Sequence, residues 1–295
     1  MSPLHPHGNA IASLDMSLSF ISAGTLDVPV FAFGMDVPDR TGLARLVPAP
    51  LALTSIPLTI GVLRRANGEV VIVDAGLSRA EIAGPIRELG LQGLTMAVRG
   101  GPGVSAVEQL KARGIEAEDV TTIVATHLHL DHIGGYRDFP RASVVAPAAE
   151  FAAARRLGTR AGYVHVKEIL ASGRSRPVLL DREPKHGFPG WLDVFGDGEL
   201  LLLDARGHTA GSVAVLLTDR ASGRSVLHAG DAAYQPHEYL TGKPSFFARL
   251  TRFREDWLKQ TWGHLRNFRS AFPETPIVLS HDPRASHEVC TAFSL

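Results

Sequence analysis

The chain has one cysteine, Cys290, in 295 residues. No internal disulfide can form, and no second thiolate exists for a cysteine-pair zinc knuckle. A lone thiol fits a reducing compartment. An excess of charge of one sign is missing too, since 30 Lys plus Arg balance 30 Asp plus Glu. Without a net field there is little to attract nucleic acid or an anionic membrane surface. The nearest thing to a basic patch is Arg249, Arg252, Arg254, Arg266 and Arg269, spread as on the solvated side of a helical region. No apolar run approaches the ~20 residues that span a bilayer. The N-terminus lacks the basic-then-apolar order of a signal peptide. No repeat of fixed period and no low-complexity tract occurs. The expectation is a soluble, cytoplasmic protein with no nucleic-acid or membrane partner.

What is present is ordinary globular material, 45% apolar and 20% charged. A chain of this length buries a large core without staples, so a metal site is expected to serve chemistry rather than folding. Residues 1–15 are polar or small and read as a mobile arm, and 16–295 as a single domain.

Apolar patterning predicts strands over 56–63 and 69–73 around the turn Ala66-Asn67-Gly68. Further strands are predicted over 121–126, 143–146, 199–205, 213–218, 225–229 and 276–280. Helical spacing marks 104–113, the alanine-rich 148–157, and 253–272. The stretch 158–198 shows no clear period, and 30–55 and 234–250 read as apolar loops. Strands alternating with helices and hairpins indicate an α/β protein with mixed sheets and outer helices.

The strongest local signal is His127-Leu128-His129-Leu130-Asp131-His132, placed directly after a predicted strand. Three imidazoles and a carboxylate within six positions can converge on a small volume. Such ligands suit zinc, the expected ion, and also iron, cobalt or manganese. His208 in Gly207-His208-Thr209, Asp231 in Gly230-Asp231, and His281 in Ser280-His281-Asp282 each follow a predicted strand as well. Singly, each reads as a capping or surface residue; together they read as ligands lining one mouth.

This order of residues, with Asp74 in Val73-Asp74-Ala75-Gly76 ahead of it, resembles the metallo-β-lactamase superfamily from about residue 18 to 285. The resemblance implies an αββα sandwich of two mixed β-sheets flanked by helices, and two divalent metal ions. It implies that His127, His129 and His208 hold one ion, that Asp131, His132 and His281 hold the other, and that Asp231 bridges them. Asp74 then orients a ligand by hydrogen bonds, with a plain turn residue as its alternative. A water bridging two cations is hydroxide at neutral pH, and Asp131 could shuttle its proton to the leaving oxygen.

Within the superfamily, Asp231 argues against the β-lactamases, and the room left in the chain argues against the nuclease and flavodiiron branches. The pattern is most similar to the N-acyl-homoserine lactonases, the quorum-quenching enzymes. Tyr234 stands three residues after Asp231, where that family carries a tyrosine facing substrate, and 20–26 resembles its opening strand. The implied reaction is opening of the lactone ring of an N-acyl-homoserine lactone, with Asp131 and Tyr234 as catalytic residues. The alternatives are another esterase, a hydroxyacylglutathione-type thioesterase or a phosphotriesterase of the same fold, and an iron-dependent redox enzyme. Met35, Phe246, Phe247 and His237 are the candidate pocket residues, and the apolar N-terminal loops allow a homodimer.

Overall fold

The computed structural model describes residues 17–30, 53–84, 97–99 and 103–293. The expected N-terminal arm and Met35 lie outside them.

Among these residues, one mixed sheet is built from β1 (Leu18–Pro29), β2 (Leu53–Arg64), β3 (Val70–Val73), β4 (Ala97–Arg99), β5 (Val120–Val124), β6 (Ser143–Pro147) and β7 (Ser175–Val178). Its order is β4-β1-β2-β3-β5-β6-β7. The half from β4 to β3 is antiparallel, and β3, β5, β6 and β7 run parallel. The second sheet has the order β12-β11-β10-β9-β8. It comprises β8 (Trp191–Asp193), β9 (Leu200–Asp204), β10 (Val213–Thr218), β11 (Ser225–His228) and β12 (Ile277–Val278).

Side-chain alternation explains the layers. Val71 and Val73 of β3 point inward to meet Leu200 and Leu202 of β9 and Val213, Val215 and Leu217 of β10. Val70 and Ile72 point outward, packing with Val107 and Leu110 of α2 (Ala106–Lys111), Phe151 of α4 (Ala148–Leu157) and Ile169 of α5 (Val166–Ala171). On the far side, Leu201, Leu203, Ala214 and Leu216 pack under Leu258, Trp262, Leu265 and Phe268 of α8 (Glu255–Ala271). The result is the αββα sandwich that the resemblance implied. Each such buried aliphatic side chain contributes about 1.5–3 kcal/mol, so the three apolar layers supply the main driving force for the fold.

The hairpin between β2 and β3 turns at 65–69, where Gly68 has φ +85° and Asn67 accepts from the Glu69 amide. Differences from the expected elements have local causes. In 158–198 the strands β7 and β8 are short, lie at sheet edges and stay partly exposed, which erases the apolar period. The stretch 234–250 is largely helical rather than loop, forming α6 (Pro236–Thr241) and α7 (Phe246–Thr251). Proline in the first turn starts α6, and the Ser245 hydroxyl caps α7. The last strand shrinks to two residues, and Asp282 then caps a helix, α9 (Pro283–Ala292), that patterning did not indicate. Among the described residues no helix is long and apolar enough to cross a membrane.

Candidate metal centre

The strands deliver the polar residues to one edge. β3 and β5 are parallel, so Asp74 and the turn at 125–129 leave the first sheet side by side. β9, β11 and β12 share one direction in the second sheet, and His208, Asp231 and His281 follow their C-terminal ends. Beyond β5 the apolar members of the motif fix which way the ligands face. Leu128, Leu130 and Ile133 are buried in apolar clusters, which turns His127, His129 and His132 the other way. Asp131 and His132 belong to a single turn, α3 (Leu130–Ile133). Gly134 and Gly135 let this turn press against 74–76, since a Cβ on Gly135 would stand 2.2 Å from the Ala75 carbonyl oxygen. Reciprocal main-chain bonds close that contact, Ala75 N to His132 O at 2.7 Å and Gly135 N to Gly76 O at 2.9 Å.

Three groups of ligand atoms converge. His129 Nδ1 lies 3.1 Å from both His127 Nε2 and His208 Nε2. His281 Nε2 lies 3.3 Å from Asp131 Oδ2 and 3.3 Å from Asp231 Oδ1. His132 Nε2 is 3.3 Å from Asp231 Oδ1 and 3.7 Å from Asp131 Oδ2. Asp231 stands between the groups, with Oδ2 3.6 Å from His208 Nε2.

The outward nitrogens are anchored. His132 Nδ1 donates to Asp74 Oδ2 at 2.8 Å, and His281 Nδ1 donates to the Pro57 carbonyl at 3.0 Å. His127 Nδ1 meets the Thr126 hydroxyl at 3.2 Å, and His208 Nδ1 meets the Tyr234 hydroxyl at 3.5 Å. For His127 and His208, which burial keeps neutral, a proton held at Nδ1 leaves a lone pair on Nε2 directed at the cluster, and in His132 and His281 the anchored Nδ1 turns Nε2 toward it. Asp74 also accepts from Thr126, at the amide (2.8 Å) and at the hydroxyl (2.9 Å). It takes φ +62° to do so, a conformation aspartate tolerates better than most residues.

Charge follows the geometry. Burial, reinforced by His132, holds His127 well below the usual imidazole range. Burial and His208 push His129 down to about 3, and burial also lowers His208. The other half behaves oppositely. Burial disfavours charge on His132 and His281, but Asp231 and Asp131 outweigh it, raising His132 well above its ordinary value and His281 to about 10. Burial would raise Asp131 and Asp231, yet the facing histidines bring Asp131 to about 2 and Asp231 well below the carboxylate range.

This donor set fits divalent cations. His132 Nε2 and Asp231 Oδ1 are buried facing each other at 3.3 Å, and His127 Nε2 and His208 Nε2, on imidazoles that burial keeps neutral, each lie 3.1 Å from His129 Nδ1. Buried lone pairs so arranged are satisfied by a cation.

Around the centre, Tyr234 is buried, 2% exposed, its ring stacked 6.0 Å from that of His281. Phe247 packs edge-on to Tyr234 at 5.3 Å. Phe246 faces outward at 55% exposure, and His237 is exposed in the first turn of α6. His228 is a core histidine bonded to the Thr59 carbonyl, as its strand position suggests. His186 is half-buried against Phe272. Two acidic residues escaped the sequence reading. Glu81 in α1 (Arg79–Ala83) makes a buried pair with His165, and Glu150 in α4 bonds to the two turns that carry His127, His129 and His208. The only signal for Glu150 was an acid on the inner side of an alanine-rich helix.

Known proteins similar to this chain include metallo-hydrolases and lactonases. The "Probable metallo-hydrolase Rv2300c" of Mycobacterium tuberculosis is 33% identical over 197 residues, which cover 61% of this chain and 60% of that protein. The N-acyl homoserine lactonase AttM of Azorhizobium caulinodans is 30% identical over 182 residues, 61% of this chain and 64% of the lactonase. The match thus spans about three-fifths of these relatives' own lengths. Among solved structures, a B. thuringiensis AiiA variant with N-decanoyl-L-homoserine at its active site superposes with a TM-score of 0.70 at 21% identity, covering 92% of this chain and 95% of that one. AidC, a dizinc quorum-quenching lactonase, gives 0.61 at 16% identity, covering 91% and 88%. The profile of the metallo-beta-lactamase superfamily matches residues 58–281, a span that runs from β2 through every candidate ligand, and the chain belongs to that superfamily.

Proposed function

We propose that this chain is a metal-dependent lactonase that opens the ring of N-acyl-homoserine lactones. The observation that carries the reading is Tyr234, whose hydroxyl sits beside His208 and whose ring stacks on His281, against the Asp231-spanned cluster. Lactonases among the relatives and structural neighbours support it.

His127, His129 and His208 would hold one divalent ion, Asp131, His132 and His281 a second, and Asp231 would contact both. Ions so held supply Lewis acidity and lower the pKa of water. The remaining work belongs to side chains. Thr251 Oγ1 already donates to the Phe247 carbonyl at 2.9 Å, so at the 2.9 Å contact with Tyr234 the phenol is the donor. Burial and the nearby Asp231 raise the Tyr234 pKa well above its usual value, so the group stays protonated. Turned from Thr251 to a substrate carbonyl, that proton offsets charge developing on the carbonyl oxygen. Asp131 is 20% exposed against 5% for Asp231, which makes it the acid open to substrate. Its carboxylate takes the proton of the attacking water and returns it to the ring oxygen as the carbon–oxygen bond breaks. One water is consumed, and a hydroxyl and a carboxylate are formed. Phe247 lines the apolar side of Tyr234, where an acyl chain would lie.

The test is turnover of a set of N-acyl-homoserine lactones beside a phosphotriester and a glutathione thioester. Preference for the lactones supports the assignment. Preference for either other substrate, in metal-loaded protein, overturns it and leaves a hydrolase of another class.

A further inference from the structure

We propose that Glu150 is a positioning residue for the His127–His129–His208 half of the centre, its carboxylate tying together the two turns that carry those ligands. The inference rests on the reading of that cluster as a metal site.

Glu150 is fully buried in the first turn of α4. Burying a carboxylate is costly unless donors surround it. Here the donors come from the ligand turns themselves. Oε1 accepts from the Leu128 amide at 3.1 Å, and Leu128 lies between His127 and His129. Oε2 accepts from the Thr209 hydroxyl at 2.7 Å and the Gly211 amide at 3.0 Å, in the turn that follows His208. The second turn lies flush on the helix, because a Cβ on Gly211 would stand 2.4 Å from the Glu150 amide nitrogen. Tyr163 stands on the same side, packing its ring 4.9 Å from that of His129.

One carboxylate therefore spans two turns that are joined to different sheets. An apolar side chain of equal size would leave the Leu128 and Gly211 amides without their acceptor. The other half of the centre has separate supports, with His132 held by Asp74 and His281 by the Pro57 carbonyl. Loss of Glu150 should act on one half and spare the other, a selectivity that general loss of packing would not give.

Glu150→Gln preserves size and can still accept from Leu128, but its amide N–H groups then face the Gly211 N–H. The experiment titrates metal-free full-length chain with Zn²⁺ against a competing chelator, for wild type and Glu150→Gln, with urea unfolding of each metal-free protein alongside. The expected result is one ion bound with wild-type affinity and the other weakened roughly 10- to 100-fold, the usual cost of losing an outer hydrogen bond to a metal site. Equal weakening of both ions, or no change in either, overturns the proposal. A wild type that binds no zinc fails at the first step and takes the metal-site reading down with it. Should Glu150→Gln not fold, Thr209→Val removes one bond to the same carboxylate, and a selective loss of about 2- to 10-fold is expected. Absence of that selectivity counts against the proposal equally.

Discussion

Asp74 Oδ2 accepts the Nδ1 proton of His132 at 2.8 Å, with both side chains 2% exposed. The bond fixes which nitrogen of His132 faces Asp231. Asp74 is thus more than a turn residue, although it also holds the turn through Thr126. Asp74→Asn keeps the shape and tolerates φ +62°, but loses the charge that holds the imidazole proton. Zinc affinity should fall roughly 10- to 100-fold, as read by chelator competition. Unchanged affinity would return Asp74 to the role of a turn residue.

Tyr234→Phe removes one buried hydroxyl and keeps the ring stacked on His281. Lactone kcat is expected to drop about 10- to 100-fold, the worth of one hydrogen bond to a charged oxygen, with zinc content unchanged. Steady-state kinetics with metal analysis on the same sample decides it. A rise in KM alone would assign the phenol to binding rather than to the transition state.

Gly135→Ala should destabilise the fold by about 1–3 kcal/mol or more, because the new methyl meets main-chain atoms that cannot retreat. Gly84→Ala is the control. Gly84 has extended backbone and ordinary contact distances, so its replacement should stay within about 0.5 kcal/mol of wild type. Urea midpoints compare the two directly, and equal midpoints would contradict the close packing of the Gly135 turn on Ala75.

Glu81 gives the fold a pH dependence of its own. Burial would raise its carboxyl, but His165 and the Ser78 amide outweigh that and hold it below the usual glutamate value of 4.5. A carboxyl lowered in the folded state stabilises the fold above its unfolded pKa, and that stability is lost as pH falls through the folded value. Urea stability should therefore decline below about pH 4.5, and Glu81→Gln should flatten the decline while lowering stability at pH 7. An unchanged acid slope in the variant would exclude this pair as its source.

The residues of the centre were readable where chemistry is contiguous or follows a strand. His127 to His132 stand together, with leucines at alternate positions that already show which side faces the core. His208, Asp231 and His281 each stand within a few residues of the end of a β-branched or leucine-rich run. Glu150 was not readable, because its partners lie 22, 59 and 61 positions away and only the fold brings them together. Helices α6 and α7 were hidden by their shortness, six residues each, which leaves too few turns for a period to register. Edge strands β7 and β8 were hidden because exposed edges do not demand apolar side chains.

The most direct measurement is the metal content of the purified protein, read together with opening of an N-acyl-homoserine lactone before chelation, after chelation and after zinc is restored. The account predicts about two ions per chain, loss of turnover when they are removed and recovery when they return. Lactone opening that persists in metal-free protein, or a fully metallated protein that opens no lactone, would contradict it.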